Sequence, residues 1–429
     1  MLRDWCAPLV PPGEESVERG GIEIRSARWN AAALAALAAR VARGAEALRG
    51  LGRERTLAAW GGTVAAFRDP ESGERRALDG ALARLCRLSA AGLAAGLEAV
   101  LGGVAAAPAR KLFDQAAARS GARADAPPSP ALVILAANLP ALAVQPLLPA
   151  LALGRPAIVK SPTAEPLFAP AFAAALARRE PALGDALAAL TWRGGDRALE
   201  APLLAAAGRV LAYGEQESLD DLERRAPGKL AGFGPKTSLA VIGATADARE
   251  AAAGLARDVA LFDQRGCLSV AAVYAAGDAD GLAEALAAEL RALAARWPPG
   301  PIDSEAAAAV QQLRAEADLA GLRRPALPLP AGTVVVDPRP AFRPTPGLRT
   351  VRVHPLSDLA ALPVLLAPWR DRLQGAALAG PDAEALRPAL AALGVTRFAP
   401  PGALQSPDAT WHNGGQDPLD VLLSPGTCR

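Results

Sequence analysis

The sequence predicts an α/β protein built on parallel sheets whose two faces are covered by helices. Two observations carry that prediction. Short apolar runs, such as ALVILAAN at 131–138 and TSLAVIG at 237–243, alternate with longer segments whose apolar residues recur every three or four positions, the pattern of βαβ units. These runs are apolar at consecutive positions, as strands buried on both faces are. A third observation bounds the size: 429 residues exceed what one hydrophobic core holds, so two to three domains are expected.

Taken in order, residues 1 to about 125 are rich in Ala, Leu and Arg, and Asn30 to Leu51 and Gly80 to Val104 space their apolar residues as amphipathic helices do, so a helical N-terminal region is expected. After the 131–138 strand, Ala141 to Leu153 reads as a helix and RPAIVK at 155–160 as a strand. Leu167 to Arg178 follows as a helix, TWRGG at 191–195 as a strand and turn, Glu200 to Ala207 as a helix, and RVLAYG at 209–214 as a strand. Gln216 to Gly232 is polar and reads as a hinge. A second series then begins with the 237–243 strand, a helix over Ala246 to Phe262, and LSVAAVYA at 268–275 as a strand. Ala279 to Ala295 is a helix, TVVVDP at 333–338 and RTVRVHP at 349–355 are strands, and Leu356 to Leu373 is expected to be helical. Proline-rich pieces at 298–301 and 325–330 are loops, and the tail from Phe398 is rich in Pro and Gly.

Composition excludes several classes. Hydrophobic residues make up 51% and charged residues 21%, which argues against wholesale disorder. Lys+Arg 46 against Asp+Glu 44 leaves a charge of +2 with no basic cluster interleaved with aromatics, so nucleic acid is not expected as a partner. The N-terminus carries prolines and acids where a secretory signal needs an unbroken apolar stretch. The most apolar region, Ala131 to Val159, is interrupted by Asn138, several prolines, Gly154 and Arg155, short of the roughly 18 apolar residues of a membrane span. A soluble, cytoplasmic protein is expected. Cys6, Cys86, Cys267 and Cys428 lie far apart, in neither a zinc nor a disulfide spacing.

Lys occurs only at Lys111, Lys160, Lys229 and Lys236, Asn only at Asn30, Asn138 and Asn413, and His only at His354 and His412. Where composition has drifted so far toward Arg and Ala, the survivors are enriched in positions that need their chemistry. Cys267, in FDQRGCLS between a helix and a buried strand, can attack a carbonyl carbon as a thiolate, or can be an inert buried thiol. Asn138 and Lys160 each end a strand, on the sheet edge where α/β proteins bind ligands. An amide there can donate to an oxyanion and an ammonium can reach a ribose or phosphate; the structural alternatives are a turn cap and a solvated lysine. Gly214 closes the next strand as a glycine that allows close approach or merely a turn. His354 reads as structural, and His412 as a substrate, subunit or packing contact.

The segments ILAANLPALAVQPLLPALALGRPAIVKSP, GFGPKTSLAVIG and FDQRGCLSVAAVYA, in this order and spacing, resemble the aldehyde dehydrogenase superfamily. Together with WHNGG at 411–415, they resemble more narrowly its LuxC-type acyl-CoA reductases. The resemblance is strongest over residues 130 to 275, weaker in the tail and weakest over 1 to 125. It implies an aldehyde dehydrogenase-like fold: a helical region at 1–105, a Rossmann-like nicotinamide domain at 106–235, a catalytic domain at 236–395 and a tail, 396–429, packing back on the cofactor domain. By the same resemblance Cys267 is the nucleophile that takes the acyl group. Asn138 and the Cys267 backbone N–H form the oxyanion hole, Lys160 holds the adenosine ribose or its phosphate beside Ser161 and Thr163, and Gly214 and Glu215 lie near the pyrophosphate. Lys236 matches the lysine of a GGK-like block, in a structural or a catalytic role.

Two departures from the superfamily shape the expected chemistry. Hydrolytic members carry a glutamate about four residues before that lysine; here the position is Gly232, which suits an enzyme that exchanges the acyl group with a thiol carrier and delivers hydride to it rather than hydrolysing it. Members that prefer NAD often have Glu three residues after the strand-end lysine; here Thr163 stands there, with Glu165 two further on, so NADPH is favoured over NADH. The resemblance thus implies NADPH-dependent reduction of an acyl-CoA or acyl-carrier thioester to an aldehyde, a homo-oligomer, and a partner protein that delivers acyl groups. Two rivals stand beside it: a reductase of the same fold acting on acyl phosphates, and a degenerate, non-catalytic scaffold.

Overall fold

The structure, a computed structural model, describes residues 2–120, 129–137 and 139–423. The N-terminal region is not wholly helical as expected. It opens with an antiparallel hairpin of β1 (Gly13–Arg19) and β2 (Ile22–Arg28), whose residues alternate between covered and exposed across a Gly20-Gly21 turn. That period-two pattern spans only two seven-residue strands and is outweighed in the sequence by the Ala/Leu-rich helices that follow: Ala31–Leu51, Arg53–Arg68, Gly73–Leu85, Ala90–Gly102 and Ala106–Ser120. Asn30, one of the three asparagines, caps the first of these by accepting from the Ala33 N–H at 2.9 Å, a structural use. By length and composition Ala90–Arg119 could cross a membrane. It is two helices, however, and Leu93, Leu97, Leu101, Leu112 and Phe113 are buried in the core.

Two parallel sheets form the body. The first, in the order β5-β4-β3-β6-β7, comprises β3 (Ala131–Ile134), β4 (Ala157–Ser161), β5 (Leu187–Thr191), β6 (Arg209–Tyr213) and β7 (Leu230–Phe233). The segment expected to be a hinge is part of this sheet: Gln216–Arg225 is a helix and β7 is the edge strand. Only Leu219 and Leu222 of that helix are buried, so its apolar stripe is too thin to stand out in the sequence.

The second sheet has the order β10-β11-β9-β8-β12-β13, from β8 (Thr237–Ile242), β9 (Val270–Ala275), β10 (Thr333–Val336), β11 (Thr350–Pro355), β12 (Leu373–Ala379) and β13 (Arg397–Ala399). The helix expected over Leu356 to Leu373 is reduced to short turns and Leu362–Leu366, and β12 follows as an interior strand between β8 and β13. LQGAALA reads as easily as a helix by composition, because a strand buried on both faces has no alternation to betray it. Ser304–Leu319 is a further helix that the sequence reading missed.

The tail returns across the molecule. Gly402 and Leu404 donate backbone N–H groups to the buried Asp258 carboxylate, at 2.7 and 3.1 Å. Further on, Leu419, Val421 and Leu422 join the core shared by β3, β4 and the N-terminal helices, where Arg209 of β6 donates to the Val421 carbonyl at 2.6 Å. The chain between these anchors crosses from the second sheet to the first.

Candidate active site

The helix Ala248–Ala260 ends in a tight turn, Leu261–Gln264, and the chain then runs through Gly266 and Cys267 into β9. Phe262, Asp263 and Gln264 in that turn have φ of 53°, 50° and 65°, a left-handed conformation that side chains other than glycine rarely adopt. Gly96 on the N-terminal helix lets Phe262 pack so closely that a Cβ at Gly96 would overlap its ring. The Arg265 guanidinium donates to the Cys86 carbonyl and, at 3.0 Å, to that of Arg87. Ser238 on β8 donates to the Cys267 carbonyl at 2.7 Å.

Cys267 is half-buried in the wall of a cavity of about 770 Å³ between the two sheets. The carboxyl ends of β3, β6 and β7 open onto this cavity through Ala136, Gly214 and Phe233, as in α/β proteins generally. Burial pushes the Cys267 thiol up to about 11, while its own backbone N–H, Lys236 and the Leu268 N–H pull the other way. Lys236 lines the same cavity, its ammonium donating to the Asp371 carbonyl at 2.7 Å and held below its ordinary pKa by burial. Tyr213 stacks on Phe233 at 4.6 Å; burial, and then Cys267, raises its phenol.

The structure therefore brings Cys267, Lys236, Gly214 and Glu215 to one cavity. Asn138 lies outside the described residues. Lys160 and Ser161 are buried at the end of β4, and Thr163 is half-buried beyond it, but none of the three lines this cavity. Burial lowers the Lys160 pKa against the attraction of Glu200, and the Ser161 hydroxyl has no hydrogen-bond partner among the described residues. Glu165 is turned inward, accepting from the Leu167 and Phe168 N–H groups, each at 2.8 Å. Glu215 precedes the helix Gln216–Arg225 and is exposed.

His412 points away and meets Asp417 at 3.2 Å. Its neighbours in the tail do line the cavity: Trp411, Asn413, Gly414 and Gln416. This strap is tied to both sheets, for Gln374 of β12 donates to the Asn413 side chain at 2.7 Å and Gln416 donates to the Gly232 carbonyl at 3.0 Å. The sequence reading missed Gln374, Gln416, Tyr213 and Phe233. Trp411 and Asn413 carried a signal within WHNGG, and Asn413 also as one of three asparagines. Gly232 has a further consequence: a Cβ there would meet Leu219 at 3.3 Å, so a longer side chain could enter only by displacing Leu219.

Two parallel sheets joined around a cysteine-bearing cavity define an aldehyde dehydrogenase-like fold, as the motifs implied. The chain superposes on an NADP-dependent enzyme from E. coli with a TM-score of 0.73, covering 98% of this chain and 96% of that one at 17% identity. Aldehyde dehydrogenase 21 from Physcomitrella patens, in complex with the reaction product succinate, gives 0.72 over 96% and 94% at 14% identity.

Within that fold the family is narrower. A family model described as acyl-CoA reductase (LuxC) matches residues 80–424, and the chain belongs to that family. A long-chain acyl-protein thioester reductase from Aliivibrio fischeri is 28% identical over 232 residues, 53% of this chain and 48% of that protein. Its counterpart from Vibrio harveyi is 30% identical over 150 residues, 34% of this chain and 31% of that one. The chain spans about half the length, or less, of these curated relatives.

Proposed function

We propose that this chain reduces an acyl thioester to an aldehyde through an acyl group held on Cys267. The observation that carries the reading is Cys267 in the cavity wall beside Lys236, with glycine at 232, where a carboxylate would otherwise activate water. The relatives' names support a long acyl chain delivered on a protein thiol.

In this reading the Cys267 thiolate attacks the thioester carbonyl carbon, the bond to the carrier sulfur breaks, and the carrier leaves as a thiol with the proton it picks up. The charge that develops on the carbonyl oxygen is met by the Cys267 backbone N–H, with Asn138 as the second donor. Lys236 favours the thiolate both as attacking and as leaving group. A nicotinamide cofactor supplies the hydride that reduces the acyl carbon. Breaking the Sγ–C bond then returns the thiolate and releases the aldehyde. Without a carboxylate at 232, that position supplies no base for water, which favours reduction of the acyl group over its hydrolysis.

The residues present fit such a cofactor. The cavity wall at Gly214, Gly232 and Gly234 is backbone that a flat ring can approach, and the buried Ser161 hydroxyl and Lys160 ammonium lie at the end of β4, on the other side of β3 from the strand that Gly214 follows. The first sheet, within 106–235, is thus the proposed cofactor unit and the second, within 236–395, the catalytic one. Glu165 accepts from a helix N-terminus instead of facing outward, which supports NADPH over NADH.

The test is NADPH oxidation by the purified protein with acyl-CoA, acyl-protein thioester and acyl phosphate donors, alongside Cys267→Ala. Thioester-dependent oxidation that disappears in Cys267→Ala is expected. Oxidation with acyl phosphate alone would transfer the reading to that donor, and no oxidation with any donor would overturn it in favour of a non-catalytic role.

A further inference from the structure

Cys267 follows three consecutive non-glycine residues in the left-handed region, Phe262, Asp263 and Gln264. Leu348 and Arg349, in the turn before β11, have φ of 54° and 58°. Such residues relax toward the right-handed or extended basins unless their surroundings hold them, and they cluster where a site needs an imposed geometry. The two turns hold each other. Arg349 donates to the Asp263 carboxylate, its terminal nitrogen 2.7 Å and its Nε 2.9 Å from Oδ1. The other carboxylate oxygen accepts from the Gly300 N–H at 2.9 Å, and Arg349 also donates to the Trp297 carbonyl at 2.9 Å. The Gln264 amide donates to the carbonyls of Val270 and Thr350 at 2.7 and 2.8 Å and accepts from the Thr350 N–H at 2.6 Å.

The ion pair is out of water: the Arg349 and Asp263 side chains are 2% and 6% exposed. A buried pair of this kind is a poor device for stability alone, since apolar residues of similar volume often do as well. Here one guanidinium nitrogen of Arg349 has no hydrogen-bond partner among the described residues, so stability is not what the arrangement maximises. What the pair does impose is direction. It fixes the path of the chain three to five residues before Cys267, and it joins that path to the loop of Thr345 and Gly347, which line the same cavity.

We propose that Asp263 and Arg349 form a clamp that positions the Cys267 sulfur, acting through the left-handed turn and touching no substrate. This rests on the reading of Cys267 as the nucleophile. The clamp sets where the sulfur stands, so its loss lowers kcat while leaving KM nearly unchanged.

Two variants of the full chain test it: Arg349→Lys, which keeps the charge and loses the paired donors, and Asp263→Leu combined with Arg349→Met, which keeps buried volume and removes both charges. Each is compared with wild type by melting temperature, by steady-state kinetics with an acyl thioester, and by the rate of Cys267 alkylation by iodoacetamide, located by mass spectrometry. The expected result is a loss in kcat of tenfold or more with KM within about twofold, and an altered alkylation rate, in a protein that still melts cooperatively near the wild-type temperature. A variant that folds and matches wild type in both kcat and alkylation rate would overturn the clamp. If the double variant does not fold, Arg349→Lys decides alone. Wild-type protein inactive on every thioester would sink the functional reading and the kcat expectation with it; the alkylation rate, which needs no turnover, then decides alone whether the pair positions the Cys267 sulfur.

Discussion

Burial holds the Cys267 thiol in its protonated form at neutral pH, since its pKa is pushed up to about 11. Only the thiolate reacts. Alkylation of Cys267 by iodoacetamide should therefore climb about tenfold per pH unit from pH 7 to 9; a plateau below pH 8 would show that the thiol titrates near neutrality instead. Lys236 is the cation that opposes the burial. Lys236→Met should slow alkylation at pH 8 by a factor of about three or more, an interaction of under about 1 kcal/mol between partly screened charges. The residues gathered at this cavity were legible to different degrees. Cys267, Lys236 and Gly214 each sit at the end of a recognisable strand or turn, where local pattern and rarity coincide. Arg349 and Gln374 are a common and a neutral residue type next to apolar strand residues, and nothing local distinguishes a residue that clamps a turn or lines a cavity from one that faces water.

The strap of Trp411, Asn413, Gly414 and Gln416 lines the cavity between the sheets. It turns at Gly414 and Gly415, with φ of 60° and 83°, where a side chain costs about 1–2 kcal/mol. Gly415→Val should displace the strap, lowering kcat/KM by more than tenfold while the melting temperature falls by only a few degrees; equal turnover in the variant would show that the strap is a passive cover. The strap was visible in the sequence only as WHNGG. Its position over the cavity depends on anchors at both sides, Asp258 under residues 402–404 and Arg119 on Asp417 at 2.8 and 2.9 Å, which lie 144 to 298 residues apart in the chain. Among the elements that escaped prediction, β7, β12 and β13 are short or alanine-rich pieces whose assignment rests on which neighbours they pair with.

At the scale of the whole molecule, two carboxyls are buried away from any cation strong enough to offset desolvation. Burial pushes both Glu165 and Asp258 up to about 7, against the hydrogen bonds of backbone N–H groups. The native state thus retains protons that the unfolded chain releases above about pH 4, so these groups stabilise the fold at low pH and that stability is lost as pH rises toward 7. Glu165→Gln, which can still accept from Leu167 and Phe168, removes one of them. Relative to wild type its melting temperature should rise as pH is raised from 5 to 8; a difference that stays constant with pH would refute the assignment.

The sequence by itself determined the α/β class, most of the strands of both sheets and the position of the cysteine loop, because strand-forming runs and glycine-bearing turns are local properties of the chain. Its motifs also carried the family. The tertiary structure decided what those local signals could not contain: that Gln216 to Gly232 is a helix leading into an edge strand, that the tail straps the cavity, that Lys160 stands off from the cavity while Lys236 stands in it, and that Arg349 meets Asp263. Each of these is a contact between segments far apart in the chain. Such contacts are selected by burial and hydrogen-bond satisfaction over the whole fold, and no residue's own neighbourhood in sequence records them.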